Sequence, residues 1–281
     1  MKFKIILILL LLSSYANSQE INDTILRSKK GIPILPAKND WAIGADVLPF
    51  LQLIGNIFYN VPDNETNVIY QTIYGRYMIS DNTAIRANFS ISNSQTYERL
   101  YVQDDAAVFM DPLSQVQTED SKKTSLSSYG IDLGILKFRG YGRLRGFYGL
   151  HAGYSVFREG YFYSYGNPIT SINNTPSSGF SYTAEGARLL EKDHGIVNTV
   201  AGGIIAGIEY YFMPKICIGG EITLSGLYSW QSQGNSKYEW WNGYQTEVFD
   251  AAEVPPGTYK ISFYTQRPAN FATSLYLMFH F

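Results

Sequence analysis

Charged residues are scarce in this chain, and their scarcity limits what the protein can do. Only 16% of its 281 residues are Asp, Glu, Lys or Arg, whereas an ordinary soluble domain has about 25%. The formal net charge is -2, which gives no support for nucleic-acid binding, because that would require a basic patch or stripe. Aromatic residues are abundant at 15%, and 23 of them are tyrosines. This composition is typical of a protein whose outer surface meets lipid.

Cysteine and long apolar runs are also lacking. The single cysteine, Cys217, excludes an intrachain disulfide and a cysteine-based zinc cluster, and we expect it to be a buried residue on a strand. After residue 20 the sequence has no apolar run of about 18 residues, which a membrane-spanning helix would need. If the chain crosses a membrane, it must therefore do so as a closed barrel, in which every backbone polar group is paired.

The amino terminus predicts an export signal. Lys2 and Lys4 precede an apolar run over residues 5–12, and the small residues Ala16 and Ser18 precede the expected cut. A run of this length is too short to span a membrane. The predicted divisions are a cleavable signal peptide, a periplasmic segment and an outer-membrane β-barrel, at residues 1–18, 19–40 and 41–281.

The last eleven residues give the clearest strand signal. The odd-numbered positions of residues 271–281 are mostly apolar and the even-numbered positions are mixed, which fits a strand whose side chains alternate between two faces. About ten residues are enough for a tilted strand to cross a bilayer. The strand ends on an aromatic residue, Phe281.

Seven further segments show the same alternation. Short turns follow the second, fourth and sixth of them, while long polar segments follow the others. Short periplasmic turns and long outer loops are typical of transmembrane barrels, so we predict an all-β, antiparallel up-and-down barrel of 8 strands. The seven predicted strands before the last lie at residues 41–54, 68–79, 85–92, 128–135, 144–156, 197–212 and 216–230.

A ten-strand barrel is an alternative, because residues 244–249 and 258–266 also alternate. We favour an outer hairpin made of these two segments. The connection between them, residues 250–257, is longer and more acidic than the three predicted turns.

Ionisable residues recur on the polar parity of the predicted strands. An Arg or Lys facing lipid at mid-bilayer costs about 2 to 4 kcal/mol, so we expect these side chains to point inward and to pair into a network that fills the narrow lumen. We favour this network over a continuous pore and over acid–base catalysis. The predicted lumen residues are Asp46, Arg76, Arg86, Asp132, Arg145, His151, Glu209 and Glu221.

Two aromatic-rich stretches fall in the predicted outer loops. Tyr and Trp are common at recognition surfaces, but they also form the aromatic girdle at the membrane interface. We favour girdle and loop packing and keep contact with a partner as the alternative. The contact candidates are Tyr161, Tyr163, Tyr165, Trp240, Trp241 and Tyr244.

The strand pattern over residues 41–281, with its terminal Phe281, resembles the small outer-membrane barrels of the OmpA and OmpX type. The Gln19 after the cut and the Tyr-rich loops are similar to outer-membrane proteins of the Bacteroidota. The resemblance implies a bacterial outer-membrane location, a plugged lumen, and no catalytic residue, cofactor or metal. The implied partners are outer-membrane lipid, the barrel-assembly machinery through Phe281, and a surface protein or glycan.

Enzymatic barrels provide a further comparison, because lipid A modifying barrels and omptin-like proteases use His with Ser, Asp or Glu near the outer rim. Asp193 and His194 are adjacent on an extended chain and should point apart. We expect His280 to be interfacial and His151 to join the lumen network. We therefore predict a structural or interaction barrel, with a narrow channel or an accessory subunit of an envelope or secretion assembly as alternatives, and a lipid or peptide hydrolase as the least favoured.

Overall fold

The computed structural model describes residues 26–47, 71–140, 142–183, 185–252, 258–265 and 275–281. The predicted signal peptide lies outside the described residues. So do the first residues of the periplasmic segment and parts of the first and last predicted strands.

The described chain forms eleven strands and one short helix, α1 (Asp105–Met110). Across the described ranges, no helix is both long and apolar enough to span a membrane. The strands are β1 (Trp41–Asp46), β2 (Gln71–Ser80), β3 (Thr83–Gln103), β4 (Gln117–Arg139), β5 (Leu144–Ser164), β6 (Arg188–Met213), β7 (Ile216–Gln231), β8 (Asn235–Trp241), β9 (Thr246–Ala252), β10 (Thr258–Thr265) and β11 (Leu275–His280).

Eight of these strands close into a ring. Strands β1 to β7 pair with their neighbours in chain order, and β11 pairs with both β7 and β1. Every pairing is antiparallel. The predicted 8-stranded antiparallel barrel is thus confirmed.

The prediction that residues 244–249 and 258–266 pair with each other as an outer hairpin is wrong. Strand β9, which contains most of the first segment, pairs with β8, and β8 pairs with the outer part of β6. Strand β10 instead lies along β7, from Thr258 opposite Gln231 to Thr265 opposite Leu224. It therefore belongs to the wall, on the same side of β7 as β11. Strand β8 is only seven residues long and was not among the predicted strands, so its pairing with β9 was missed.

The long polar segment predicted over residues 95–124 is also mostly strand. Strands β3 and β4 stay paired without interruption until Gln103 faces Gln117. The helix α1 lies at their tip, capped by the Asp104 side chain, which accepts from the amides of Ala106 and Ala107. This outer extension lies beyond the lipid belt, so its strands need no apolar row that faces lipid, and the sequence shows no sustained alternation there.

An apolar belt surrounds the ring. Leu133 is 51% exposed and Ile222 is 55% exposed, as expected for side chains that meet lipid, since a soluble protein rarely leaves an apolar patch of this extent open to water. Val200 and Tyr210 on β6 are about ten residues apart, which corresponds to a belt about 25 Å tall for a strand tilted by about 40°. Other outward-facing apolar side chains are Ile43, Ile73, Ile85, Phe89, Ile91, Ile131, Ile135, Leu150, Ile204, Ile208 and Leu224.

The described part of the N-terminal segment covers the end of the barrel where the short turns lie. Ile34 is only 1% exposed and packs in the same cluster as the lumen side chains, with Leu26 and Leu35 beside it. Its carbonyl accepts a hydrogen bond from the amide of Lys215 in the turn between β6 and β7. The Lys215 ammonium also pairs with Asp40 at 2.8 Å. This segment therefore closes the base of the barrel.

An arginine substitution should destabilise the barrel more on the lipid-facing side of a strand than on the side that faces the lumen. Ile222→Arg places a charge in the lipid belt and should destabilise the barrel by about 2 to 4 kcal/mol. Thr223→Arg is the matched control, since Thr223 lines a polar cavity inside the barrel. Urea titration in lipid vesicles, followed by gel migration without heating, measures both. Equal destabilisation by the two variants would contradict the assignment of faces.

Candidate functional site: the lumen and the outer cap

A buried ion pair occupies the lower lumen, on the side of the short turns. Arg76 on β2 donates to Glu209 on β6 at 2.6 Å, and both side chains are almost completely buried. The hydroxyls of Tyr276 and Tyr211 donate to the two Glu209 oxygens at 2.7 and 3.0 Å. The Arg76 guanidinium also lies 5.1 Å from the centre of the Phe138 ring. The carboxylate therefore has one ionic and two hydroxyl partners. A buried charge needs such ionic and hydrogen-bond partners to offset its loss of hydration.

Arg145 is also in the lower lumen, but it does not pair with an acid as predicted. Its guanidinium is 4.8 Å from the Phe138 ring and donates to the Asp81 carbonyl and the Asn82 side chain, at 2.9 and 3.0 Å. These acceptors belong to the turn between β2 and β3. Glu209 is held by Arg76 and two tyrosine hydroxyls, whereas Arg145 fastens this turn to the barrel interior.

A second charged layer lies further from the short turns. Arg86 on β3 bridges two acids, donating to Asp132 on β4 and to Glu221 on β7, each at 2.7 Å. His151 on β5 joins the layer through Asp132, with 2.6 Å between Nδ1 and Oδ2. The other ring nitrogen, Nε2, is 2.8 Å from the Ser225 hydroxyl.

A polar cavity of about 250 Å³ lies against this second layer. His151, Asp132 and Glu221 line it together with hydroxyl and amide side chains such as Thr199 and Asn88. The lower ion pair, the aromatic rings and Ile34 fill the lumen on the other side. The described interior is thus a blind polar cavity above a packed base.

Three further residues that the sequence analysis considered, Asp46, His280 and Cys217, also lie inside the barrel. Asp46, the remaining predicted lumen residue, is 6% exposed on β1. His280 is also 6% exposed, with its ring 5.8 Å from Tyr211, so the expectation that it would be interfacial is wrong. It occupies the inward parity of β11 with Tyr276 and Met278. Cys217 is fully buried and not disulfide-bonded.

The outer extensions form a structured cap that the sequence did not reveal. Asp120 on β4 is completely buried and accepts three hydrogen bonds from the β5–β6 connection, from the Gly166 amide, the Ser178 hydroxyl and the Gly179 amide, each at 2.9 Å. Asn167 ties the same connection to β3 by donating to the Gln103 carbonyl at 2.8 Å. These contacts order a polypeptide segment that was predicted to be a polar loop.

Asp105, at the start of α1, anchors the same connection from the other side. It accepts from the Asn173 side chain at 2.6 Å and from the Ser177 amide at 2.7 Å. Partial burial alone would raise its pKa, but the hydrogen bonds from Ser177 and Asn173 outweigh burial and lower the pKa below its usual value. A lowered pKa means that this anchor is complete at neutral pH and is lost as the pH falls through the folded-state value.

Arg188 links the cap to the hairpin of β8 and β9. It is 3% exposed, pairs with Glu239 on β8 at 2.6 Å, and donates to the Asn167 carbonyl at 2.8 Å. Its guanidinium also stacks 4.2 Å from the centre of the Tyr165 ring. One arginine therefore connects β6, β8 and the β5–β6 connection.

The aromatic contact candidates occupy different environments in the cap. Tyr161 packs edge-on against His194 at 5.3 Å, and Tyr163 and Tyr165 surround Phe180. Trp240 lies 6.2 Å from Phe249 across the β8–β9 hairpin. Trp241 is half-buried, while Tyr244 is 92% exposed at the hairpin tip. Four of the six candidates, Tyr161, Tyr163, Tyr165 and Trp240, thus pack against other rings of the cap, and Tyr244 is open to solvent.

Adjacent residues Asp193 and His194 do not form a dyad. The Asp193 carboxylate binds the Arg158 guanidinium, whereas His194 packs on Tyr161. In the part of the chain that the structure describes, no group of three or more His, Cys, Asp or Glu side chains is arranged to hold a metal ion.

The closed ring, the apolar belt and the inward-facing charges define a membrane-spanning antiparallel β-barrel. No protein-family model and no curated protein sequence matches the chain. Among solved structures, a major outer membrane protein from Thermus thermophilus is similar at 10% identity, with a TM-score of 0.37 over 86% of this chain and 99% of that one. The outer membrane protein OprG from Pseudomonas aeruginosa is similar at 11% identity, with a TM-score of 0.31 over 88% and 99% of the two chains. The fold assignment rests on this chain's own ring of strands.

Removing Arg76 should be far more harmful than removing an exposed arginine. Arg76→Leu leaves the buried Glu209 carboxylate without its ionic partner and should cost about 3 to 5 kcal/mol. Arg99→Leu is the control, because Arg99 pairs with Glu119 at 3.5 Å in an exposed outer extension and such pairs contribute about 1 kcal/mol or less. The urea concentrations at the midpoint of unfolding, measured in lipid vesicles, compare the stability of the two variants. Equal midpoints would contradict a dry, stabilising ion pair between Arg76 and Glu209.

Removing the Asp120 carboxylate should loosen the cap and spare the barrel. Asp120→Ala leaves three donors of the β5–β6 connection without their acceptor, so protease should cleave between residues 165 and 187 at least tenfold faster. Glu98→Ala is the matched control on the same outer extension, because Glu98 makes only an exposed pair with Lys122. Unchanged cleavage in Asp120→Ala would show that Asp120 does not order the cap.

Proposed function

We propose that this protein is a bacterial outer-membrane barrel that holds a rigid cap outside the cell for contact with a surface partner. The observation that carries the proposal is the division between a packed barrel base and a cap ordered by buried polar anchors. Fixing these loops costs conformational entropy, and Asp120 and Arg188 offset that cost. Preorganised loops lose less entropy on binding, which favours recognition.

The apolar surface of the cap supports this role. Phe109, Met110 and Leu113, around the β3–β4 tip, are between 72% and 85% exposed, and Ile172 is 79% exposed. A cavity of about 500 Å³ lies between α1 and the β5–β6 connection. These residues are well beyond the lipid belt, so lipid tails do not cover them. An apolar patch with polar surroundings is typical of an interaction site.

The partner we propose is a surface protein or a glycan, and the protein acts as a structural or interaction component, including as an accessory subunit of an envelope assembly. The narrow-channel alternative is less favoured because the base is packed with Arg76, Glu209 and Ile34. For biogenesis, Phe281 is the proposed contact with the barrel-assembly machinery. Its side chain is 69% exposed while its backbone pairs with Trp41.

Site-specific photocrosslinking on whole cells tests the proposed cap contact. A photoreactive residue at position 109 or 172 should give discrete adducts that the same residue at position 222, within the lipid belt, does not give. Replacing Phe109, Met110 and Leu113 with Ser should abolish adducts at position 172 while the barrel keeps its heat-dependent gel migration. Identical adduct patterns at the cap and lipid-belt positions would contradict the proposal.

Shortening the β8–β9 hairpin tests whether the cap is separable from the wall. Replacing residues 242–245 with a two-residue Asn-Gly turn removes the exposed Tyr244 and leaves the Arg188–Glu239 pair. We expect the shortened protein to fold and keep its heat-dependent migration, because outer tips tolerate change. Removing β10 as well should prevent folding, since β10 pairs with the wall strand β7. Normal folding without β10 would contradict its place in the wall.

A further inference from the structure

The outer wall of the barrel carries a groove that crosses β4, β5, β6 and β7. Its volume is about 610 Å³, which lies within the range of about 300 to 1,000 Å³ that is usual for ligand pockets. The upper wall of the groove is a row of exposed apolar register partners on these four strands. They are Ile135, Leu150, Ile204 and Leu224. A lipid chain that meets this part of the belt therefore finds a groove with an apolar wall.

A small residue forms the floor of the groove. The next row of register partners, two residues nearer to the short turns, is Lys137, Tyr148, Ala206 and Ile222. The Ala206 side chain ends at Cβ, whereas its neighbours Tyr148 and Ile222 extend further outward. Neighbouring strands are about 4.8 Å apart, so these two flanking residues are separated by about 10 Å across the alanine. This gap is wide enough for an acyl chain to lie between them.

The groove rises obliquely from the edge of the lipid belt towards its middle. Its lower end is at Thr83, the first residue of β3, and at Lys137, two residues before the end of β4. Its upper end is at Leu224, eight residues beyond the start of β7. For a strand tilted by about 40°, these two distances correspond to depths of about 5 and 20 Å from the short turns. One end of the groove is thus near water and the other is within the hydrocarbon.

The lower end of the groove is positively charged. Lys137 is exposed, and in the part of the chain that the structure describes no carboxylate pairs with its ammonium. Arg139 is exposed on the same face, two residues nearer to the turn. The Asp81 carboxylate in the neighbouring turn already accepts from a backbone amide at 2.8 Å. Thr83 and Tyr148 place hydroxyl groups beside Lys137. Ammonium and hydroxyl donors at a membrane surface suit the phosphate of an anionic lipid.

We propose that this groove is a binding site for one anionic phospholipid from the leaflet on the side of the short turns. Its phosphate accepts from Lys137, and one of its acyl chains lies over Ala206 towards Leu224. A phospholipid matches both ends of the groove, because it joins an anionic group at the interface to a chain that enters the hydrocarbon. The site depends only on the membrane-spanning barrel and is independent of the cap contact proposed above.

Native mass spectrometry tests the site on the folded, full-length barrel in detergent, titrated with palmitoyl-oleoyl phosphatidylglycerol. We expect one lipid to bind at a lower concentration than any further lipid. Lys137→Gln should raise the dissociation constant of this first lipid about fivefold, the effect of about one basic residue near an anionic membrane surface, and Lys137→Arg should keep it. Ala206→Phe should abolish the first binding step by filling the floor of the groove.

Ala45→Phe is the matched control, because Ala45 is an exposed alanine on β1, four strands away from β5 in the ring. It should bind the first lipid as the parent does. Phenylalanine on the lipid-facing side should leave folding intact, which heat-dependent gel migration checks for each variant. Equal affinities for the first lipid in the parent, Lys137→Gln and Ala206→Phe would show only unspecific surrounding lipid and would overturn the proposal. A barrel dimer that Ala206→Phe dissociates would assign the groove to a second copy of the chain and would also overturn it.

Discussion

The ion pair between Arg76 and Glu209 is the interaction on which the rest of the barrel depends. A ring of eight strands leaves an interior that side chains must fill, and a charge buried there without a partner costs several kcal/mol. The pair meets this requirement with the help of the Tyr276 and Tyr211 hydroxyls. Large aromatic side chains fit beside it because glycines lie opposite them. A Cβ at Gly219 would be 2.4 Å from the Tyr276 ring, and one at Gly207 would be 2.3 Å from the Phe147 ring.

The same strands are stabilised differently inside the lipid belt and in the extensions beyond it. Inside the belt, lipid requires one apolar face and the narrow lumen requires a paired polar face. Beyond it, β3, β4, β5 and β6 continue into water, and their stability comes from backbone pairing and from buried anchors such as Asp120 and Arg188. The membrane part therefore has little freedom to change, whereas the cap can carry a specific surface.

Sequence reasoning identified the barrel because lipid and lumen impose a strict two-residue alternation, as at Ile131, Asp132 and Leu133. It also placed Arg76, Arg86 and Glu209 on the inward parity, although parity does not choose partners. Arg145 has the same parity and fastens a turn instead, and parity does not show that His151 on β5 contacts Ser225 on β7. The ordered cap could not be predicted from the sequence. Asp120 and Arg188 are charged residues in polar stretches, and only their long-range contacts distinguish them from other charged residues. The same limit explains the wrong partner for β9.

Ion conductance of the purified protein in planar bilayers tests the central claim most directly. A barrel closed at its base by Arg76, Glu209 and Ile34 should insert without producing stepwise current at physiological voltages. Stable single-channel steps from the unmodified protein would contradict the closed base, and with it the proposal that this barrel serves to hold its cap.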